Sequence, residues 1–223
     1  MTETLLETVE VVTGPKPRLA VIWLHGLGAD GHDFEPIVPE LRGAGAIRYV
    51  FPHAPQRAVT INGGYVMRAW YDIFGFEPGA AEDAAGIRAS AAAVTKLIDR
   101  EIERGIPADR IVLAGFSQGG AIALQTALRE PRALGGVLAL STYLPLAATL
   151  ANERSEVNAG VPIFMAHGSA DPVLPIALAE RSRRALEALG YSVDWHVYPM
   201  PHSVSPAEIQ AIDTWLERIG AHA

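Results

Sequence analysis

The apolar run Ile111-Val112-Leu113-Ala114 leads without a linker into Gly115-Phe116-Ser117-Gln118-Gly119-Gly120, and a helical pattern, Ala121 to Arg129, follows at once. A strand, a sharp turn and a helix in immediate succession leave few choices of geometry. The turn puts Ser117 in strained backbone conformation, and glycines beside it let strand and helix approach closely. The serine hydroxyl then stands clear of the chain, above the helix N-terminus, where the dipole favours developing negative charge.

The rest of the chain repeats the alternation. Leu19-Ala20-Val21-Ile22-Trp23-Leu24, Ile47 to Phe51, Gly136-Val137-Leu138-Ala139-Leu140, Pro162 to His167 and Ser192 to Tyr198 have strand length. Several are continuous apolar runs, as expected for strands covered on both faces. Leu5 to Thr13 alternates weakly and reads as an edge strand. Between them lie helical periods. In Glu82 to Arg104, the residues Ile87, Ala91, Val94, Ile98 and Ile102 form one buried face, with Glu82 and Asp83 near the start and Gly105 at the end. Leu174 to Leu189 is a helix closed by Gly190. The last helix opens on a capping box, Ser205-Pro206-Ala207-Glu208, and carries Ile209, Ile212, Leu216 and Ile219 as its stripe. Asp30 to Leu41 reads as loop and helix, its bounds blurred by Pro36 and Pro39. Residues 52–72 read as a long irregular loop, and 142–160 show no period. The pattern gives an α/β fold: a mostly parallel twisted sheet with helices on both faces, one domain over 1–223, no large cap domain.

The 223 residues are 49% hydrophobic, enough for a substantial core. The net charge of -7 argues against nucleic acid or an anionic bilayer as partner. With no cysteine, disulfides, thiol nucleophiles and thiolate metal sites are excluded. Met1 to Glu7 lacks the basic and apolar segments of a signal peptide. The longest apolar region, Gly136 to Ala151, is broken by Ser141, Thr142 and Pro145 and is too short to cross a bilayer. The expectation is a cytoplasmic protein without stable membrane insertion; a homodimer is compatible with the sequence.

In such sheets, sites open beyond the carboxyl ends of the strands. Leu27, Ser117, Asp171 and His202 all fall just there. G-x-S-x-G between strand and helix is the pattern of a nucleophile elbow, which needs an acid and then a base later in the chain. His202 follows the last strand in a loop. His196 is inside a strand, His222 is at the chain end, and His25, His53 and His167 read as structural. Asp171 is preferred as the acid over Asp194, which lies within a strand. His202 would take the serine proton as a carbonyl is attacked, and Asp171 would fix the imidazole tautomer. Backbone N–H groups of Leu27, between the glycines of His25-Gly26-Leu27-Gly28, and of Gln118 would bind the oxyanion. Tyr65, Met67, Trp70 and Leu144 are candidates to line a substrate pocket.

With these residues in place, the chain resembles the phospholipase/carboxylesterase family, the branch of acyl-protein thioesterases and small bacterial carboxylesterases. The matching segments are 24–34 (LHGLGADGHDF), 51–55 (FPHAP), 59–73 (VTINGGYVMRAWYDI), 114–124 (AGFSQGGAIAL), 140–145 (LSTYLP), 167–175 (HGSADPVLP) and 198–209 (YPMPHSVSPAEI). The resemblance implies an α/β-hydrolase fold and no metal or cofactor. It carries the nucleophile to Ser117, the acid to Asp171, the base to His202 and the oxyanion donors to Leu27 and Gln118. The activity it implies is serine carboxylesterase action on small-molecule or lipid esters. The alternative is an acyl-protein thioesterase or lysophospholipase; a peptidase or a silent binding protein on the same fold ranks below.

Overall fold

The structure is a computed structural model and describes residues 5–43, 45–75 and 80–221. Strand β1 (Thr8–Val12) is followed by β2 (Leu19–Leu24), a short 3-10 helix (Glu35–Glu40) and β3 (Ile47–Pro52). A hairpin of β4 (Gln56–Val59) and β5 (Tyr65–Arg68) precedes helix α1 (Ala84–Glu103). Then come β6 (Ile111–Phe116), α2 (Gln118–Ala127), β7 (Gly136–Leu140), α3 (Ala147–Glu153), β8 (Ile163–Gly168), α4 (Ile176–Ala188), β9 (Val193–Tyr198) and α5 (Pro206–Ala221).

Among the described residues, seven strands form one sheet in the order β1-β3-β2-β6-β7-β8-β9. Only β1 runs antiparallel, along the edge against β3. The register sets the strand ends level: Leu24 lies opposite Gly115, Phe116 opposite Leu140, and Gly168 opposite Tyr198. One rim of the sheet therefore collects the turns after β2, β6, β7, β8 and β9.

Alternate residues of β2 serve opposite faces. Ala20, Ile22 and Leu24 pack with α1, α2, α3 and α4. Leu19, Val21 and Trp23 pack with the 3-10 helix and α5. Burial on both faces is what makes the strand sequence continuous rather than alternating. Among the described residues, no helix is long and apolar enough to cross a membrane.

Local signals place the helix ends. Asp83 caps α1 by accepting the Gly86 N–H at 2.9 Å. Gly105 takes φ 93° just beyond the helix, where its N–H reaches Ile102 O and Ile106 N–H reaches Glu101 O. The capping box at α5 forms: Glu208 N–H donates to Ser205 Oγ at 3.2 Å, and Ser205 N–H to a Glu208 oxygen at 3.3 Å.

Three segments differ from their sequence reading. Residues 52–72 are not wholly irregular, because β4 pairs with β5 antiparallel across a turn with Gly63 and Gly64 at positive φ. Residues 142–160 hold α3, seven residues that bury only Leu150 and so show no period. Helix α1 turns Leu97 and Glu101 fully inward, while Ala91 and Ile102 are only half-buried. His222 lies outside the described residues.

Candidate active site

Ser117 sits at φ 53° and ψ -120°, a backbone state costly for a residue with a Cβ. Its neighbours explain how the turn closes. A Cβ on Gly115 would collide with the Gly119 backbone, and one on Gly119 with the carbonyls of Leu24 and His25. A Cβ on Gly120 would meet the Thr142 side chain. Ser117 N–H donates to Leu140 O at 2.9 Å, and the Thr142 hydroxyl donates to Ser117 O at 2.6 Å. Thus β7 grips the turn from the side, and Ser117 becomes the residue just before α2.

The His25-Gly26-Leu27-Gly28 loop lies against this turn. A Cβ built on Gly26 would stand 3.6 Å from the Ser117 Cβ and 3.3 Å from the Phe116 ring. Gly28, at φ 78°, donates its N–H to Arg68 O at 2.9 Å, which ties the loop to β5. Among the described residues, no protein acceptor takes the N–H of Leu27 or of Gln118. The Gln118 side chain is occupied: its carbonyl accepts Trp70 N–H and its amide donates to Tyr71 O, both at 2.7 Å.

Asp171 and His202 meet on the loops after β8 and β9. His202 Nδ1–H donates to Asp171 Oδ2 at 2.6 Å. The other carboxylate oxygen accepts the N–H groups of Val173 and Leu174 at 2.9 and 2.8 Å. Burial works to raise this carboxyl's pKa, but the Leu174 N–H, the imidazole and the Val173 N–H outweigh it and hold Asp171 below the usual carboxylate range. Gly168 makes the meeting possible, because a Cβ there would strike the carbonyls of Met200 and Pro201. The His202 ring packs 4.7 Å from the Phe116 ring, one residue from Ser117. Among the described residues, neither Ser117 Oγ nor His202 Nε2 is held by another protein group, so both stay available to a reacting atom.

The other histidines among the described residues have partners elsewhere, His32 with Glu35 at 2.7 Å on the surface. His25 Nδ1 donates to Gly26 O at 2.7 Å and Nε2 accepts the Ala54 N–H at 3.0 Å. Burial pushes its pKa down to about 4, so the ring stays neutral. His53 accepts the Gly31 N–H at 3.1 Å. His196 pairs with Asp194 at 2.9 Å, and Arg218 holds the second Asp194 oxygen. That leaves the rival acid engaged within its own strand and α5. His167 lies behind Asp171, its Nε2 2.8 Å from Leu174 O.

The four pocket candidates separate. Trp70 is fully buried, its indole N–H donating to His25 O at 2.9 Å and its backbone O taking the Ser90 hydroxyl. It braces the loops from beneath and offers no open surface to a ligand. Tyr65 stands 70% exposed on the hairpin. Met67 lies under the loop, its sulfur 3.7 Å from a Cβ built on Gly28. Leu144 lines a cavity of about 340 Å³ with Tyr71, Ile73, Tyr143 and Leu178. Sequence reasoning missed Tyr71 and Tyr143 as a pair: their hydroxyls are hydrogen-bonded at 2.8 Å in the cavity wall. Burial pushes Tyr143 to about 12 and Tyr71 well above its ordinary value, so both stay neutral. Among the described residues no His, Asp and Glu cluster is arranged to hold a metal ion.

The phospholipase/carboxylesterase family profile matches residues 6–219. Acyl-protein thioesterase 1 of Neurospora crassa is 43% identical over 207 residues, 88% of this chain and 84% of that protein. Acyl-protein thioesterase 1 of Mycosarcoma maydis is 38% identical over 224 residues, 93% of each chain. The crystal structure of Zea mays acyl-protein thioesterase 2 superposes with a TM-score of 0.87 at 32% identity, over 96% of this chain and 99% of that one. Sheet, helices and family profile agree over the same span, and the chain belongs to the phospholipase/carboxylesterase family of ester and thioester hydrolases.

Proposed function

We propose that the protein is an acyl thioesterase, acting on acyl groups carried by protein thiols, with Ser117 as nucleophile, His202 as base and Asp171 as the acid that orients it. One observation carries the catalytic part of the reading: the 2.6 Å Asp171–His202 pair packs beside the strained serine turn. The thioester part is supported by the acyl-protein thioesterases among its relatives.

Ser117 Oγ attacks the acyl carbonyl carbon while its proton passes to His202 Nε2. Asp171 stabilises the resulting imidazolium through Nδ1–H. The carbonyl oxygen, now an anion, takes hydrogen bonds from the Leu27 and Gln118 N–H groups. Collapse breaks the C–S bond, and the departing sulfur takes the proton from His202. Water then attacks the acyl-serine carbonyl carbon, giving a proton to the same nitrogen; the C–Oγ bond breaks, Ser117 Oγ takes that proton from His202, and the carboxylic acid leaves. Leu144, in the wall of the cavity beside Tyr143, is the surface proposed to receive the acyl chain.

The test uses an S-acylated peptide and the matching O-acyl ester. Ser117→Ala is expected to lower turnover of both by about 10⁴-fold or more with circular dichroism and Tm unchanged. Full activity in that variant removes Ser117 from the mechanism. Cleavage of the O-acyl ester with no cleavage of the S-acyl peptide replaces the thioesterase reading with a carboxylesterase one.

A further inference from the structure

His167 takes no part in the proton path above, yet it faces the same carboxylate from behind. It is the penultimate residue of β8 and has no exposed surface. Its Nε2 lies 2.8 Å from the Leu174 carbonyl oxygen. A carbonyl only accepts, so this nitrogen carries the proton. The same nitrogen is 3.4 Å from Asp171 Oδ2, the oxygen that His202 engages. The Nδ1 of His167 is buried with no partner. Three residues are thereby linked in a ring: His167 N–H to Leu174 O, Leu174 N–H to Asp171 Oδ1, and the carboxylate back toward His167.

We propose that His167 is a positioning residue: held neutral as the Nε2–H tautomer, it fixes Leu174 and through it the orientation of the Asp171 carboxylate toward His202. The inference rests on the reading of Asp171 and His202 as acid and base. Neutrality is part of the device. A protonated His167 would set a positive charge beside Asp171 and weaken its hold on the His202 imidazolium. The extra proton would also sit on a buried nitrogen with no acceptor. The titratable groups facing His167 are Asp171, whose charge favours its protonation, and His202, whose charge opposes it. Burial is the largest influence and pushes its titration down.

Histidine ¹⁵N NMR on the unmodified protein reads the tautomer directly. His167 is expected to be neutral and Nε2-protonated at about pH 7 and above, and to titrate below an ordinary histidine. An Nδ1–H tautomer, or titration at or above the ordinary imidazole value, overturns the proposal. Two variants test its consequence. His167→Phe keeps a planar ring, somewhat larger than the imidazole, and removes the donor; His167→Gln restores an N–H within reach of Leu174. The Phe variant is expected to lose about tenfold or more in kcat, the effect of one hydrogen bond near a charge. Its KM stays unchanged, the acid limb of kcat/KM moves to lower pH, and the Gln variant recovers most of the rate. Folded His167→Phe with wild-type kcat and acid limb sinks the idea. If His167→Phe does not fold, the tautomer still decides. An active Ser117→Ala variant would instead defeat the parent reading, and the tautomer measurement does not depend on it.

Discussion

Glu208 shows how much one side chain can ask of its surroundings. It lies in the first turn of α5 without exposed surface, one oxygen on the Ser205 N–H and the other without a partner. Burial raises its pKa to about 7, against the lowering effect of the Ser205 N–H. The native state therefore binds a proton that the unfolded chain releases near pH 4.3. The Glu208 contribution to stability is fully present below that pH and is lost as pH rises toward 7. Glu208→Gln keeps an acceptor for Ser205 and cannot ionise. Its stability relative to the parent is expected to climb by up to about 3 kcal/mol between pH 4.5 and 8, read from urea unfolding. Parallel stability curves for the two proteins would show that Glu208 titrates in the fold as it does in the unfolded chain. At this scale the sequence was readable where chemistry fixes position. Ser117, Asp171 and His202 follow strand ends, and a strand end on a parallel sheet has one rim to face. Trp70 was not readable, because an aromatic residue in a loop has the same sequence context whether it lines a groove or braces a turn from below.

Elements were legible in proportion to how uniformly they are buried. The central strands β2, β6, β7 and β8 are covered on both faces and stand out as apolar runs. The β4–β5 hairpin has four residues per strand and mixed exposure, so neither run rises above its surroundings. Its turn, Asn62-Gly63-Gly64, was the available signal. The strand–turn–helix unit of β6 and α2 was the most legible element because sterics dictate its glycines. That gives a contrast to measure. Gly119→Ala is expected to lose roughly 3 kcal/mol or more, or to fail to fold, since its Cβ has only the backbone carbonyls of Leu24 and His25 to displace. Gly160→Ala, with no atom within 4 Å of the added methyl and no positive φ, stays within about 0.5 kcal/mol of the parent. Equal unfolding midpoints for the two variants would mean that the close approach of α2 to β2 is not what requires glycine.

Across the whole molecule, the edge of the sheet far from the site is held by charge. Glu101 on α1 has no exposed surface and takes Arg48 of β3 at 2.8 Å, Arg100 at 3.1 Å and Arg104 at 3.0 Å. Arg100 and Arg104 reach on to Glu10 of β1 at 3.0 and 2.9 Å. The Arg104 hydrogen bond, followed by the charges of Arg100 and Arg104, holds Glu10 below its ordinary pKa despite partial burial. One helix and two strands thus share a network around a single enclosed carboxylate. No periodicity announces it, since Glu101 falls where the helical pattern would place a buried apolar residue. Glu101→Leu matches the burial but leaves Arg48 partly enclosed without its counter-charge, and Arg100 and Arg104 with Glu10 alone. The loss expected is about 3–5 kcal/mol, the range for breaking a buried pair from one side. The sheet order sets β1 three strands from β6, about 14 Å at ordinary strand spacing. The folded variant should therefore keep kcat within about twofold of the parent, because effects at separate sites with no shared partners act independently. Guanidinium unfolding and turnover on one preparation test both halves. A loss under 1 kcal/mol would mean that the arginines find solvent readily, and a fall in kcat of the folded protein would mean that this edge and the serine turn are mechanically coupled.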